Sequence, residues 1–215
     1  MRSWPDLEVV DLADDGVASS DLEPAVVDRA VAVLAGGGTV VLPTDTVYGV
    51  AALASADGAT HQLFVLKDRY HHQPLAVLVA DIGQAFGLVE EPTPEVRGWM
   101  ETLWPGPLTL VLRRRPEARA LALGGDDATI GVRCPDHRFV RALAERLGPL
   151  ATTSANLHGE ATPSSARDAA AALAGRVDLV VDGGPAGATA STVVDASVTP
   201  WRVLRAGALT ADRLA

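Results

Sequence analysis

Short apolar runs recur from one end of the chain to the other, among them "TVVL", "PLAVLVA", "LTLVL", "TIGVRCP", "VDLVV" and "STVVD". Each has the length of a strand and is bounded by glycine, proline or small polar residues. Segments with helical periodicity lie between them, but strands and helices do not alternate strictly and no internal repeat is visible. This pattern predicts an α/β fold: one domain built on a twisted, mixed β-sheet flanked by helices. The chain has 215 residues, 48% of them hydrophobic, which is enough for a sizeable single core. No linker long enough to divide it is present.

The punctuation predicts individual elements. Ser20 or Asp21 is placed to cap a helix with its apolar face on Val26, Val27, Ala30 and Leu34, and the glycines of "AGGGTVV" stop it. "TVVLPTDTVYGVAAL" reads as two β segments broken at Pro43. Further helices are expected from about Asp57 to Lys67, from Glu95 to Leu103, over "DHRFVRALAERLG" and over "PSSARDAAAALAG". "PLATTSA", "STVVDAS" and "WRVLRAG" are read as strands.

Charge narrows the function. Lysine and arginine number 18 against 27 aspartate and glutamate, a formal charge of -9. Such a balance argues against a surface built for nucleic-acid phosphates, so any bound anion needs a local basic cluster. The single cysteine, Cys134, excludes a disulfide framework and a cysteine zinc site. No secretory signal and no apolar segment of membrane-spanning length is present, so a soluble, cytoplasmic protein is expected.

"LKDRYHHQP" concentrates Lys67, Arg69, His71 and His72 in nine residues. Adjacent histidines in extended chain point to opposite sides, so His71 and His72 are poorly placed to share a metal ion. Lys67 and Arg69 fit two readings: cations at a helix C-terminus, favoured by its dipole, or an anion-binding pair. The glycines of "AGGGTVV" precede a strand, which suits a helix stop and turn better than a phosphate loop between strand and helix, while those of "DGGPAGATAST" suit a backbone nest for an anion and a surface turn equally well. In "ATTSANLHGE", Thr152, Thr153, Ser154 and Asn156 occupy a strand exit, where open α/β sheets bind ligands. No nucleophile elbow accompanies them, which removes support for hydrolase chemistry.

"LPTDTVYGVAALAS", "LFVLKDR…QPLAVLV", "WPGPLTLVL", "TIGVRCPDH", "TTSANLHGEATPSSA", "STVVD" and "VLRAGAL" occur in this order. Together the ordered set resembles the YrdC-type threonylcarbamoyladenylate synthase family, over about residues 17–209. The resemblance implies a YrdC-like fold around a positively charged cavity. It implies that L-threonine, bicarbonate and ATP, with Mg2+, give threonylcarbamoyl-AMP and pyrophosphate. That product is passed to transferase partner proteins for the modification of adenosine 37 (t6A) in ANN-decoding tRNAs. The family's Lys-x-Arg and Ser-x-Asn tetrad is matched by Lys67, Arg69, Ser154 and Asn156, with Lys67 and Arg69 as the catalytic cations. By the same resemblance, ATP contacts fall on Lys67, Arg69, Thr129, Ser154, Asn156, Thr162 and Arg205. Threonine contacts fall on Thr46, Arg133, Thr152 and Ser191, and no metal-ligating side chain is implied.

Three positions depart from the family pattern. Gly-Arg-Pro usually follows the lysine, where this chain has Asp68, Arg69 and Tyr70. Gln73 replaces a common asparagine, and Leu78 replaces a histidine, so one polar group is expected to be missing from the amino-acid side. The chain ends at Ala215, just after "RAGAL", and is expected to lack the extra C-terminal domain of some relatives. Two alternatives stand beside the synthase. An RNA-binding module is opposed by the charge of -9 and testable by salt-sensitive gel shift. A carbamoyladenylate-forming module using carbamoyl phosphate is separable by omitting substrates one at a time.

Overall fold

The computed structural model describes residues 7–12, 24–68, 72–157, 159–187 and 189–214. Ser20 and Asp21, the expected helix caps, lie outside the described residues, as do Arg69 and His71. Ten strands form one mixed sheet: β1 (Val9–Asp11), β2 (Thr39–Leu42), β3 (Gly49–Leu53), β4 (Ala76–Leu78), β5 (Leu108–Arg113), β6 (Thr129–Arg133), β7 (Leu150–Ser154), β8 (Leu179–Asp182), β9 (Thr192–Asp195) and β10 (Arg202–Arg205). Their spatial order is β1-β8-β2-β3-β7-β4-β6-β5-β9-β10. Parallel pairs such as β4 with β6 sit beside antiparallel ones such as β3 with β7. Among the described residues six α-helices flank it: α1 (Pro24–Ala35), α2 (Ala59–Leu66), α3 (Ile82–Phe86), α4 (Pro94–Leu103), α5 (Arg138–Leu147) and α6 (Ala166–Ala172). Among the described residues, no helix is long and apolar enough to cross a membrane.

The expected elements form, with ends shifted by a few residues. The apolar face of α1 is buried through Val26, Val27, Ala30 and Leu34. The glycines after it stop it as expected, the Gly38 N–H returning to Val33 O and Gly37 taking a φ of 81°. Thr93 and Ser165 cap α4 and α6, their side chains accepting from Val96 N and Asp168 N. The short α3 has no counterpart in the sequence reading; Asp81 caps it by accepting from Gln84 N. Five residues are too few to display a helical period.

Side chains alternate across the sheet, so directly paired residues share a face. Ala151, Val77, Val132 and Leu110 are register partners along one row, and each is completely buried. They join a core that also takes Leu63 and Phe64 from α2, Trp99 and Met100 from α4, and Ala169 and Ala170 from α6. The opposite face is covered by α1 and α5, whose Leu34, Val140 and Leu143 pack on Leu42, Ala51, Leu78, Leu150 and Val181. No residue of β5, β6, β9 or β10 belongs to that second cluster. Two helices cover half of this face, and among the described residues no helix packs on the other half.

Tyr48 ties the chain after β8 to the chain before β3. Its hydroxyl donates to Gly184 O at 2.6 Å and accepts from Gly183 N, with Asp182 Oδ1 at 3.2 Å. Burial, the largest effect, pushes the phenol up to about 12; the Gly183 N–H opposes this and the Asp182 charge adds to it. A raised native pKa keeps its full stabilising effect below the unfolded value of 10.0 and loses it as pH climbs through about 12. The chain has two tyrosines, so phenolate absorbance should show a step near 12 that Tyr48→Phe abolishes. The same substitution should cost about 1–3 kcal/mol in urea unfolding, because Gly183 N and Gly184 O lose their partner. Ordinary ionisation of both tyrosines would show that this anchor is absent in solution.

Candidate active site

On the open half-face, Thr152, Ala76, Gly131 and Val111 are register partners across β7, β4, β6 and β5. All four are half-buried, where the row behind them is completely covered. Small side chains here make a floor, not a core. A Cβ at Gly131 would meet Thr109 Cγ2 at 3.8 Å and Ala76 at 3.9 Å, ordinary contacts with its neighbours on the floor. Thr129 lies on the same face at the start of β6, and Thr152 Oγ1 donates to Val50 O at 3.2 Å.

Lys67 stands at the rim, as the residue that ends α2, and is 3% exposed. Its Nζ donates to Ser154 O at 2.6 Å, Asn156 Oδ1 at 3.0 Å and Ser154 Oγ at 3.2 Å. Ser154 Oγ in turn donates to Asn156 Oδ1, and Asn156 Nδ2 donates to Glu160 O. This is not a solvated helix-end cation. A buried ammonium requires such acceptors, and these three are neutral, so they orient the charge without cancelling it.

Arg133, at the end of β6, is buried. Its Nε donates to Gly106 O, Nη1 to Thr46 Oγ1 at 2.8 Å and Nη2 to Asp45 Oδ1 at 2.6 Å. Burial depresses its guanidinium pKa and the Asp45 carboxylate opposes that shift. Thr44 holds the Asp45–Thr46 turn, its Oγ1 accepting from Thr46 N and Val47 N. Gly187 packs against this turn; a Cβ there would lie 2.6 Å from Thr46 O, which excludes any side chain.

Arg205 ends β10 and folds back onto Ser191, with Nε and Nη2 donating to Ser191 O and Nη2 also to Ser191 Oγ at 3.0 Å. Ser191 Oγ is 2.8 Å from Thr109 Oγ1. Burial depresses the Arg205 pKa and the charge of Arg133 adds to the effect, so the two guanidinium groups feel each other. Leu150 is level with Leu78, and Leu78 with Arg133. Four residues of β7 therefore separate the Arg133 end of the floor from the Ser154 end, about 13 Å along the strands.

Most of the expected site residues thus come together: Lys67 with Ser154 and Asn156, Arg133 with Thr46, Arg205 with Ser191, and Thr152 and Thr129 on the floor. Thr162 is half-buried in the loop before α6 and makes no hydrogen bond to the others among the described residues. Asp68 has φ 45° and is exposed, so it turns outward from the rim. That left-handed backbone suits the glycine of the family pattern and is tolerated by aspartate. Leu78 corrects an expectation: it is buried beneath α5 in the second core cluster, so its side chain belongs to packing and not to an amino-acid pocket. Sequence reading passed over Asp45 and Thr109. Asp45 had a signal, since it sits between two threonines in the quoted "LPTDTVYG" string.

Comparisons with known proteins agree on one family. The Sua5/YciO/YrdC family model, described as telomere recombination, matches residues 32–207. Threonylcarbamoyl-AMP synthase of Bacillus subtilis is 35% identical over 207 residues, covering 95% of this chain and 59% of its own. The protein of that name from Mus musculus is 40% identical, covering 79% of this chain and 62% of its own. The crystal structure of P. abyssi Sua5 complexed with L-threonine superposes with a TM-score of 0.85 and 32% identity, over 97% of this chain and 59% of that one. The chain therefore spans about three fifths of the length of these relatives.

The Lys67 geometry has a consequence for stability. Asn156→Leu should cost about 1–3 kcal/mol by leaving a buried ammonium short of an acceptor. In a Lys67→Met background the same change should cost clearly less, because no buried charge remains to be satisfied. Urea unfolding of the four proteins gives the coupling directly. Additive costs would mean that the Lys67–Asn156 bond carries no energy.

Proposed function

This chain belongs to the Sua5/YciO/YrdC family, and we propose that it is an L-threonylcarbamoyladenylate synthase. In this reading it is a nucleotidyltransferase that converts L-threonine, bicarbonate and ATP to threonylcarbamoyl-AMP and pyrophosphate. It acts in the cytoplasm and passes its product to the transferase proteins of tRNA t6A formation. The observation that carries the reading is the buried Lys67 ammonium, held by neutral oxygens of Ser154 and Asn156 at the rim of an open sheet face. A cation fixed in place by hydrogen bonds is what a triphosphate needs in a chain of net charge -9.

The neutral threonine amine first adds to the carbon of bicarbonate, and as the C–N bond forms a C–O bond breaks and water leaves, giving the carbamate. A carbamate oxygen then attacks the α-phosphorus of ATP; the new P–O bond forms as the bond to the β-phosphate oxygen breaks, and pyrophosphate leaves with the electron pair. Charge builds on the α-phosphoryl oxygens and the leaving group, where Lys67 and Arg69 lower its energy. Thr129, Ser154, Asn156, Thr162 and Arg205 complete the ATP site. Arg133 takes the threonine carboxylate, and Thr46, Thr152 and Ser191 orient the amino acid. Mg2+ enters as the ATP complex, carried by the phosphates; among the described residues no group of three His, Cys, Asp or Glu side chains is placed to hold a metal. The separation of about 13 Å between the two ends of the floor accommodates an amino acid at one end and phosphates at the other.

Incubation with ATP, Mg2+, bicarbonate and a panel of amino acids, read by mass spectrometry, should yield threonylcarbamoyl-AMP. Pyrophosphate release should require threonine and bicarbonate together, and equal release without bicarbonate would overturn the mechanism. Lys67→Ala and Arg69→Ala should each slow turnover by about 30- to 1,000-fold, corresponding to about 2–4 kcal/mol of lost transition-state stabilisation. Arg133→Lys should raise the KM for threonine far more than that for ATP, because an ammonium cannot reproduce the fork of a guanidinium.

A further inference from the structure

Asp45 is the carboxylate ion-paired to Arg133. Its side chain is 15% exposed and lies beside Arg133 and Thr46, both placed on the amino-acid side. Oδ1 accepts from Arg133 Nη2 at 2.6 Å, while no hydrogen bond to Oδ2 is present among the described residues. Arg133 donates three of its five N–H groups, to Gly106, Thr46 and Asp45, which leaves one on Nη1 and one on Nη2. Two open cationic donors and one open anionic acceptor therefore stand side by side.

A free α-amino acid presents the matching pair, a carboxylate and an ammonium on the same carbon. We infer that Asp45 is the residue that reads the α-ammonium group of the substrate, through Oδ2, while Arg133 reads its carboxylate. This rests on the proposed placement of threonine at Arg133 and deepens it. A site with Arg133 alone would accept any small hydroxy acid of the right shape. With Asp45, an acid lacking the nitrogen leaves a poorly solvated carboxylate oxygen without a partner, and it is rejected. The same contact fixes the nitrogen that must become the carbamate. Asp45 is thus a specificity and positioning residue. Its bond to Arg133 keeps its carboxylate aimed, and the Thr44 hydroxyl holds the turn that carries it.

Calorimetric titration of the whole chain with L-threonine and with 3-hydroxybutyrate, which lacks only the amine, tests this. Wild type should bind threonine more tightly by about tenfold or more, the worth of one charge-assisted hydrogen bond. Asp45→Asn should weaken threonine by a similar factor and leave 3-hydroxybutyrate unchanged or tighter, collapsing the preference. Equal weakening of both ligands would make Asp45 only a clamp on Arg133, and tighter binding of both would make it a competitor for that guanidinium; either overturns the inference. The wild-type preference needs no variant, so loss of folding in Asp45→Asn still leaves a decision: a wild type that binds both ligands alike refutes the ammonium reading. A wild type that binds neither refutes instead the proposed function.

Discussion

A ten-stranded sheet has more face than two helices can cover. Where α1 and α5 lie, the sheet presents Leu42, Ala51, Leu78 and Leu150, and a dry core forms. Beyond them the same face presents Thr152, Ala76, Gly131, Thr129 and Thr109, which are too small and too polar to build one. The other side of those strands is packed without gaps by Ala151, Val77, Val132 and Leu110. Alternation with period two allows one strand to serve both demands: β6 points Ile130 and Val132 into the core and Thr129, Gly131 and Arg133 into the open half. The site is therefore a product of sheet packing, and its floor is as rigid as the core beneath it.

That rigidity matters because the site's cations are expensive to hold. Lys67 and Arg133 are nearly removed from water, and a buried charge is tolerated only where it is hydrogen-bonded. The two solutions differ. Lys67 donates to neutral oxygens of Ser154 and Asn156, which fix the position of its ammonium. Arg133 has a carboxylate partner in Asp45, which offsets much of its charge and leaves directional donors behind. The Arg133 end thus keeps a partly compensated charge, with Arg205 near enough for the two guanidinium groups to feel each other.

Much of this was legible in the sequence because it depends on local pattern. Strand runs and the glycine stop after α1 carry signals within a few residues, whereas the Lys67–Ser154–Asn156 grouping spans 87 residues and was legible only through the family resemblance of its two motifs. Leu78 was misplaced for the opposite reason. Whether a strand residue faces a pocket or a core depends on which helix lies over it, and α5 begins sixty residues later in the chain. Asp45 escaped notice because its meaning comes from Arg133, a partner 88 residues away. Arg205 on Ser191 and Ser191 against Thr109 are likewise pairings that only the β5–β9–β10 register creates.

The glycine-bearing segment after β8 shows how site and fold are joined. Its sequence suits a turn and an anion nest equally, and in the structure it is anchored at two points. Tyr48 binds its start through Gly183 and Gly184, and Ala186 N donates to Ser164 O near Thr162. Next in the chain, Gly187 packs against Thr46, the residue that holds Arg133 Nη1. A side chain at 187 would displace the Thr46 carbonyl, and with it the Asp45–Thr46 turn that aims both groups at the guanidinium. The segment therefore contributes no charge of its own to the amino-acid end, yet it fixes the distance at which that end works.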